Sequence, residues 1–526
     1  MKYYFLTLFF SAFISLSFAQ TNMEQLGQLP YSEDLSDVWG WVDENDNEYA
    51  LVGVYNGLSI VDVTNPAEPE ELFFEAGAGS IWRDIKTWEH YAYVSNESFG
   101  GIFIVDLSGL PNNIVATTSF TGSMYPFSSA HNLYIDETGK LYIFGSDSGS
   151  GGAIICDLTE DPMNPVELGR FNTNYLHDGM ARGDTLWGAA IYAGELLAID
   201  VSNPAIPQIM GSVFTPSQFT HNAWVSADGT HVFTTDEVNS GYIAAYNVTD
   251  LSNIVETDRI QTAPGSGVIP HNTHVIDDFL VTSYYTEGIT IHDATRPDNL
   301  IEVGHFDTSP NFSGGGYDGS WGAYPYLPSG IILASDIQEG LITLQPNYLK
   351  AVYVDGVVTD SLTGDPLFAV EYSVLGTEIT GETAFDGSFS FGTLETGTFD
   401  ILFTKENYEN KIIEGVDFIN GVAVDLEVEL VLPDITSVNN LNESSVIKAF
   451  PNPFNGEINL EYRFEKLSDG EAMIQVFDVT GTVIDNIEIS TVSGMIRLGS
   501  QLPGGVYFLK ISNGTTFSET RRIVKM

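Results

Sequence analysis

Short apolar runs of four to eight residues fill the first two-thirds of the chain, separated by clusters of Gly, Asp, Asn, Ser and Pro. No segment sustains a 3.6-residue apolar period, so the pattern predicts strands joined by tight turns. One stretch shows the unit: "AHNLYID", "KLYIFGS", "GGAIICDL" and "PVELGRF" follow one another as four strands. The third of these is written repeatedly. "GLSIVDVTNP" at 57 returns as "GIFIVDLSGLP" at 101, "GAIICDLTEDP" at 152, "ELLAIDVSNP" at 195 and "GITIHDATRP" at 288.

The residue closing this apolar strand is Asp62, Asp106, Asp157, Asp200, Asn247 or Asp293. A second marker lies upstream in each unit, at Asp37, Asp84, Asn132, Asp178, Asn222, Asn272 and Asp318. Both recur about every 46 residues, the signature of a repeat array. Four short strands per repeat and seven markers predict a seven-bladed β-propeller. The acid after the third strand is expected to cap its turn, and the following proline to stop strand pairing there. The last repeat ends at "GLITLQ" without an outer strand, whereas "MEQLGQLPY" (23–31) resembles the outer strands "VELGRFNT" and "IEVGHFDT". That segment is predicted to complete the seventh blade and close the ring.

These repeats resemble the LVIVD repeat, and residues 23–347 resemble the secreted propellers of the choice-of-anchor B family, which implies a scaffold but no particular reaction. The repeat rhythm stops near Tyr348. "GVVTDSLTGDPL", "TAFDGSFSF" and "GTFDILFTKENY" alternate apolar and polar residues as in a small antiparallel sandwich and resemble carboxypeptidase regulatory-like domains. After the polar connector "PDITSVNNLNESS", the segments "AFPNPFNGEINLEY", "VFDVTGTVID", "LPGGVYFLKI" and "RRIVKM" resemble the type A sorting domain of the type IX secretion system. This resemblance implies a Bacteroidetes-type bacterium, partnership with the type IX machinery, and removal of the domain during release or surface attachment. The expected organisation is therefore all-β: a propeller over 20–347, sandwiches over 348–433 and 446–526, and a linker over 434–445.

Charge and targeting narrow the function. Acidic residues number 71 against 19 Lys+Arg, a net charge of −52. Such a field repels phosphate backbones and excludes nucleic-acid binding as an expectation. The first 19 residues carry Lys2, an apolar run and Ser17-Phe18-Ala19, a secretory signal cut before Gln20. No later segment reaches the ~18 apolar residues of a spanning helix, so the mature protein is expected outside the cell or on the outer-membrane surface. The single cysteine, Cys156, sits in a core strand pattern.

The candidate chemistry lies in the histidines. His131, His177, His221 and His271 each precede an upstream marker, at equivalent places in four consecutive repeats. The other three repeats hold Ser36, Arg83 and Tyr317 there, and His274 shares the strand face of Asn272. In a propeller these positions border the channel, where imidazoles can hold zinc or another divalent metal. The Asp/Asn ring either braces neighbouring blades or binds a ligand. A second candidate is calcium held by the hairpin acids Asp147, Asp236, Glu237, Asp336 and Glu339. Trp39, Trp82, Trp224 and Trp321 lie near the markers and either pack in the core or stack on a sugar or peptide. No Gly-x-Ser-x-Gly elbow or HExxH motif occurs. The sequence points to a secreted binding or adhesion module for a polar ligand, glycan or protein. The alternative is a metal-dependent hydrolase or lactonase with its site at the channel.

Overall fold

The computed structural model describes residues 20–433, 446–464, 467, 472–512 and 518–526. The expected signal peptide (1–19) and the expected linker (434–445) lie outside these residues. Every named regular element is a strand. The chain divides into two compact units, Met1–Ala351 and Val352–Met526.

The first unit holds seven four-stranded antiparallel sheets. The inner strands, in order of blades one to seven, are Leu35–Val42, Ile85–Trp88, Asn132–Ile135, Asp178–Arg182, Thr220–Val225, Thr273–Ile276 and Ser320–Tyr324. Each lies beside the next, and the seventh lies beside the first, so the ring is closed. The apolar core sits between blades. Leu35, Val38, Val52 and Val61 of blade one, for example, pack with Tyr324, Leu333 and Leu341 of blade seven. Strands buried on both faces read as unbroken apolar runs, as in Glu48–Val54, where every residue is buried. The outer strand Glu70–Ala76 is covered on one side only and returns to a mixed polar pattern.

Blade seven is completed from the other end of the unit. Met23–Leu29 pairs antiparallel with Gly340–Pro346, from Met23 opposite Pro346 to Leu29 opposite Leu341. A second tie crosses the same seam, where Glu48 of blade one accepts hydrogen bonds from the Ser329 amide at 2.7 Å and its hydroxyl at 2.6 Å.

Two repeated letters acquire a physical reason. The Asp or Asn closing the third strand accepts a hydrogen bond from the backbone N–H two residues on. The pairs are Asp62–Thr64 (2.9 Å), Asp106–Ser108 (2.9 Å), Asp157–Thr159 (2.8 Å), Asp200–Ser202 (2.9 Å), Asn247–Thr249 (3.0 Å) and Asp293–Thr295 (2.8 Å). The glycine of "QLGQL" and "ELGRF" lies against the proline turn of the adjoining blade. A Cβ on Gly169 would sit 1.8 Å from the Pro204 carbonyl oxygen, and one on Gly27 would sit 2.3 Å from that of Pro66. Only glycine permits that approach.

The second unit contains two sandwiches with separate cores. In one, a three-stranded sheet (Ser388–Thr393, Val352–Asp360, Ala423–Leu430) faces a four-stranded sheet (Thr380–Glu382, Glu371–Val374, Gly397–Thr404, Lys411–Phe418) over Val354, Ile401, Phe403 and Phe418. The other is built the same way over Ile458, Leu460, Ile474, Leu509 and Ile523. Its terminal strand Ser518–Lys525 pairs with Gly505–Ser512, which sets the buried Ile523 opposite Tyr507.

Candidate functional site

The inner strands place the markers around the channel, but unequally. Asp37, Asp84, Asn132, Asp178, Asn222 and Asn272 are all buried. Asp37 Oδ2 accepts the Ile85 amide of blade two at 3.2 Å, and Asn222 Oδ1 accepts the Thr273 amide of blade six at 3.2 Å. Asn222 also donates to Asp178 Oδ2 at 2.8 Å. These bonds cross from one blade to the next, so Asp37, Asp178 and Asn222 act as braces.

The seventh marker is a correction. Asp318 precedes the inner strand, is half-buried, and accepts a hydrogen bond from the Gln338 side chain at 2.8 Å. Register shows why: Gly322 lies opposite Ser335 as Asn222 lies opposite Thr235, so Gly322 holds the marker position and Trp321 the histidine position. A Cβ on Gly322 would lie 2.8 Å from Asp37 Oδ1, so the brace at Asp37 occupies the space of a seventh side chain.

Lys86 enters the channel among these acids. Its ammonium bonds Asp84, lies 3.6 Å from Asp37, and stands 4.3 Å over the Trp39 ring. Burial pushes the Asp84 carboxyl well above the usual range and raises Asp37 and Asp178, while Lys86 pulls each of them back. Burial also opposes the Lys86 charge, but Asp84 and Asp37 outweigh it and raise its pKa. One step further along, Trp39, Trp224, His274, Tyr324 and Tyr326 plug the channel. Trp224 lies 4.6 Å from His274, and Trp39 lies 4.7 Å from Tyr324. His274 therefore belongs to this plug, apart from the other four histidines.

On the opposite side of the marker ring the four histidines meet. Ring centroids are 3.9 Å apart for His131–His177, 4.4 Å for His177–His221 and 4.4 Å for His221–His271. Trp321 continues the arc 4.9 Å from His271. With Trp82 and Arg83, the rings of His131, His221 and His271 line a cavity of about 10 Å³, roughly the room one water or ion needs. Two side groups complete it. Glu97 holds His131 Nδ1 at 2.6 Å. Glu237 reaches between His221 Nε2 (3.5 Å) and His271 Nε2 (4.0 Å), while Tyr285 donates its hydroxyl to Glu237 Oε1 at 2.6 Å.

Burial sets the charge of these groups. It drives the His177 and His221 imidazoles well below their usual pKa, with neighbouring histidines adding to the effect. It holds His271 down to about 3 and lifts Glu237 to about 7. The result is that His177, His221 and His271 are neutral imidazoles with lone pairs to offer. The donors of His131, His177 and His221 lie within 4.8 Å of one another, as do those of His221, Glu237 and His271.

The hairpin acids do not form one calcium site. Asp236 is buried and accepts the Thr215 hydroxyl (2.5 Å) and the Ser217 amide (2.7 Å). Asp336 accepts the hydroxyls of Thr308 and Ser309, both at 2.6 Å, and the Glu339 amide at 2.9 Å. Asp147 accepts the Ser128 amide at 2.7 Å. These are loop braces, and Glu237 alone joins the histidines. The sequence reading missed Glu97 as a partner of His131 and gave Glu237 the wrong companions. The signal was present: "SNESFG" (95–100) and "TDEVNSG" (235–241) both put a glutamate just after the second strand. Cys156 is buried in its strand, and burial raises its thiol pKa.

Around this mouth the surface is aromatic. Trp82 lines the histidine cavity and is 40% exposed. Tyr192 is 79% exposed and packs 4.8 Å from Tyr175, itself 6.3 Å from His177. Tyr317 is 56% exposed and lies 5.3 Å from Tyr285, whose ring is 5.0 Å from His271.

Comparison with known proteins adds two family matches. Residues 448–526 match the secretion system C-terminal sorting domain, and residues 41–74 and 190–215 match the LVIVD repeat. No curated protein matches the chain. Among solved structures, the chain is similar to the β-propeller domain of Myceliophteria thermophila Cps50 (Swd1), at 12% identity and a TM-score of 0.45, over 62% of this chain and 100% of that one. The protein thus carries LVIVD repeats in a propeller and ends in a sorting domain, which directs it through the secretion machinery to the cell surface or the extracellular space. No helix among the described residues is long and apolar enough to cross a membrane.

Proposed function

We propose that the protein is an exported binding or adhesion module whose partner, a glycan or a protein, docks on the aromatic face around the histidine mouth. The exposed aromatic rim carries this reading. Trp82 lines the cavity, while exposed Tyr192 and Tyr317 reach the histidines through Tyr175 and Tyr285, so the exposed aromatics form a connected patch around the mouth. Trp and Tyr are the residues that dominate recognition energetics, through large rigid area and a polar edge. The cavity beneath admits an ion or a water and no substrate-sized molecule. A larger partner must therefore rest on the rim. In this reading the propeller is of choice-of-anchor B type, the sandwich from Val352 is a carboxypeptidase regulatory-like spacer, and the terminal sandwich is a type A sorting domain handled by the type IX system.

Glycan and protein arrays probed with the mature chain test it. Trp82→Ala with Tyr192→Ala is expected to weaken every wild-type hit by thirtyfold or more, the size of a central aromatic contact, with thermal unfolding unchanged. Equal binding by the double variant would place the partner elsewhere. The donor set of His221, Glu237 and His271 favours a second reading, a metal-dependent hydrolase or lactonase, because two histidines and a glutamate with a free position is a catalytic zinc arrangement. Turnover of activated esters or lactones by zinc-loaded protein, lost in His271→Gln, would select it.

A further inference from the structure

The geometry points to a site for one divalent transition-metal ion of the zinc class, held by Nε2 of His221, Nε2 of His271 and the carboxylate of Glu237. It does not depend on the docking reading above. Two ligands at about 2.0–2.1 Å in a tetrahedral shell stand about 3.3 Å apart. His221 Nε2 and Glu237 Oε2 are already 3.5 Å apart, and His271 Nε2 is 4.0 Å from Oε1, so small rotations complete the set.

Two observations separate this cluster from an ordinary hydrogen-bonded core. The first is orientation by outer partners. His271 Nδ1 lies 2.5 Å from the Trp321 carbonyl oxygen, which only accepts, so this nitrogen carries the proton and Nε2 keeps its lone pair. Tyr285 fixes Glu237 in the same manner at 2.6 Å. Ligating histidines and carboxylates are typically held by such partners. The second is unmet bonding capacity. His177 Nε2 and His221 Nδ1 are buried and have no hydrogen-bond partner among the described residues. Each of the two thus keeps one ring nitrogen outside the hydrogen-bond network of the described residues. His177, whose ring is 4.4 Å from that of His221, stands nearest as a further nitrogen donor.

The neighbouring set His131, His177 and His221 is less suited. It lacks an anionic ligand, and its first two rings lie against each other at 3.9 Å. Two imidazoles and one carboxylate select zinc, copper or nickel over calcium and magnesium, which take oxygen shells.

Tag-free mature protein, stripped with chelator and titrated calorimetrically with zinc, tests the site. One equivalent is expected to bind, with Glu237→Gln and His271→Gln each weakening it at least tenfold, and calcium not competing. Cobalt added to the wild type is expected to give the strong visible band of a four-coordinate ion, displaced by zinc. That measurement decides the matter even if a variant fails to fold. Zinc binding equal in both folded variants would be surface binding on an acidic protein and would overturn the site, as would the absence of a cobalt band in the wild type.

Discussion

Removing the strand Met23–Leu29 should unravel the whole ring. Six residues of this strand pair with Gly340–Pro346, and Met23 is buried. Thr343 donates to the Gly27 carbonyl at 3.3 Å, and Gln28 donates to the Glu339 carbonyl at 2.8 Å. Taking about 1 kcal/mol net for each main-chain or side-chain bond, and roughly 2 kcal/mol for the buried Met23 side chain, the loss is on the order of 8 kcal/mol. A domain is typically stable by only ~5–15 kcal/mol. Deletion also leaves Gly340–Pro346 as a bare edge, open to pairing with another chain. The assay is urea unfolding of residues 20–351 with and without 20–29, followed by near-ultraviolet circular dichroism, with light scattering to report association. The shortened form should lose cooperative unfolding or shift to a much lower midpoint, and should self-associate. An unchanged midpoint would refute the argument that this strand closes the ring.

Other consequences follow from the channel and the tail. Lys86→Met leaves Asp37 and Asp84 buried without their cation, and should cost about 3–5 kcal/mol in denaturant unfolding; a loss below about 1 kcal/mol would mean that the pair is solvated. Burial holds His292 down to about 4, against about 6.5 in the unfolded chain. Between those values only the unfolded chain binds the proton, so stability should fall as pH drops from 6.5 to 4. His292→Gln should remove roughly 3 kcal/mol of that fall, and parallel pH profiles for the two proteins would contradict it. Deleting 446–526 should trap the propeller, still folded, inside the outer membrane, as protease accessibility of whole cells would show. Surface delivery of the truncated chain would refute the sorting role.

Much of the architecture was legible because each blade repeats the same physical demands. An Asp or Asn caps the turn after the third strand in blades one to six, and a glycine lies where the outer strands of blades three and seven meet the proline turns of blades four and one. Those demands leave letters at a fixed spacing. The four histidines were legible for the same reason, since equivalent places in consecutive blades come together around an axis. Glu97 and Glu237 were harder to assign, because they reach the site from the connection after the second strand, and only the glutamate shared by "SNESFG" and "TDEVNSG" marks it. Blade seven misled for another reason. The sequence offers an aspartate at 318, but the seventh position has no room for one beside Asp37. Matching "SWGAY" (320–324) to "THNAW" (220–224) would have placed Gly322 and Trp321 correctly.

The account rests on the histidine mouth being the working part of the propeller. Anomalous diffraction at the zinc absorption edge, from crystals of tag-free mature protein grown with zinc, tests it most directly. A single strong peak within ligand distance of His221, Glu237 and His271 is the predicted result. Peaks confined to surface carboxylates, with none at the histidines, would contradict it.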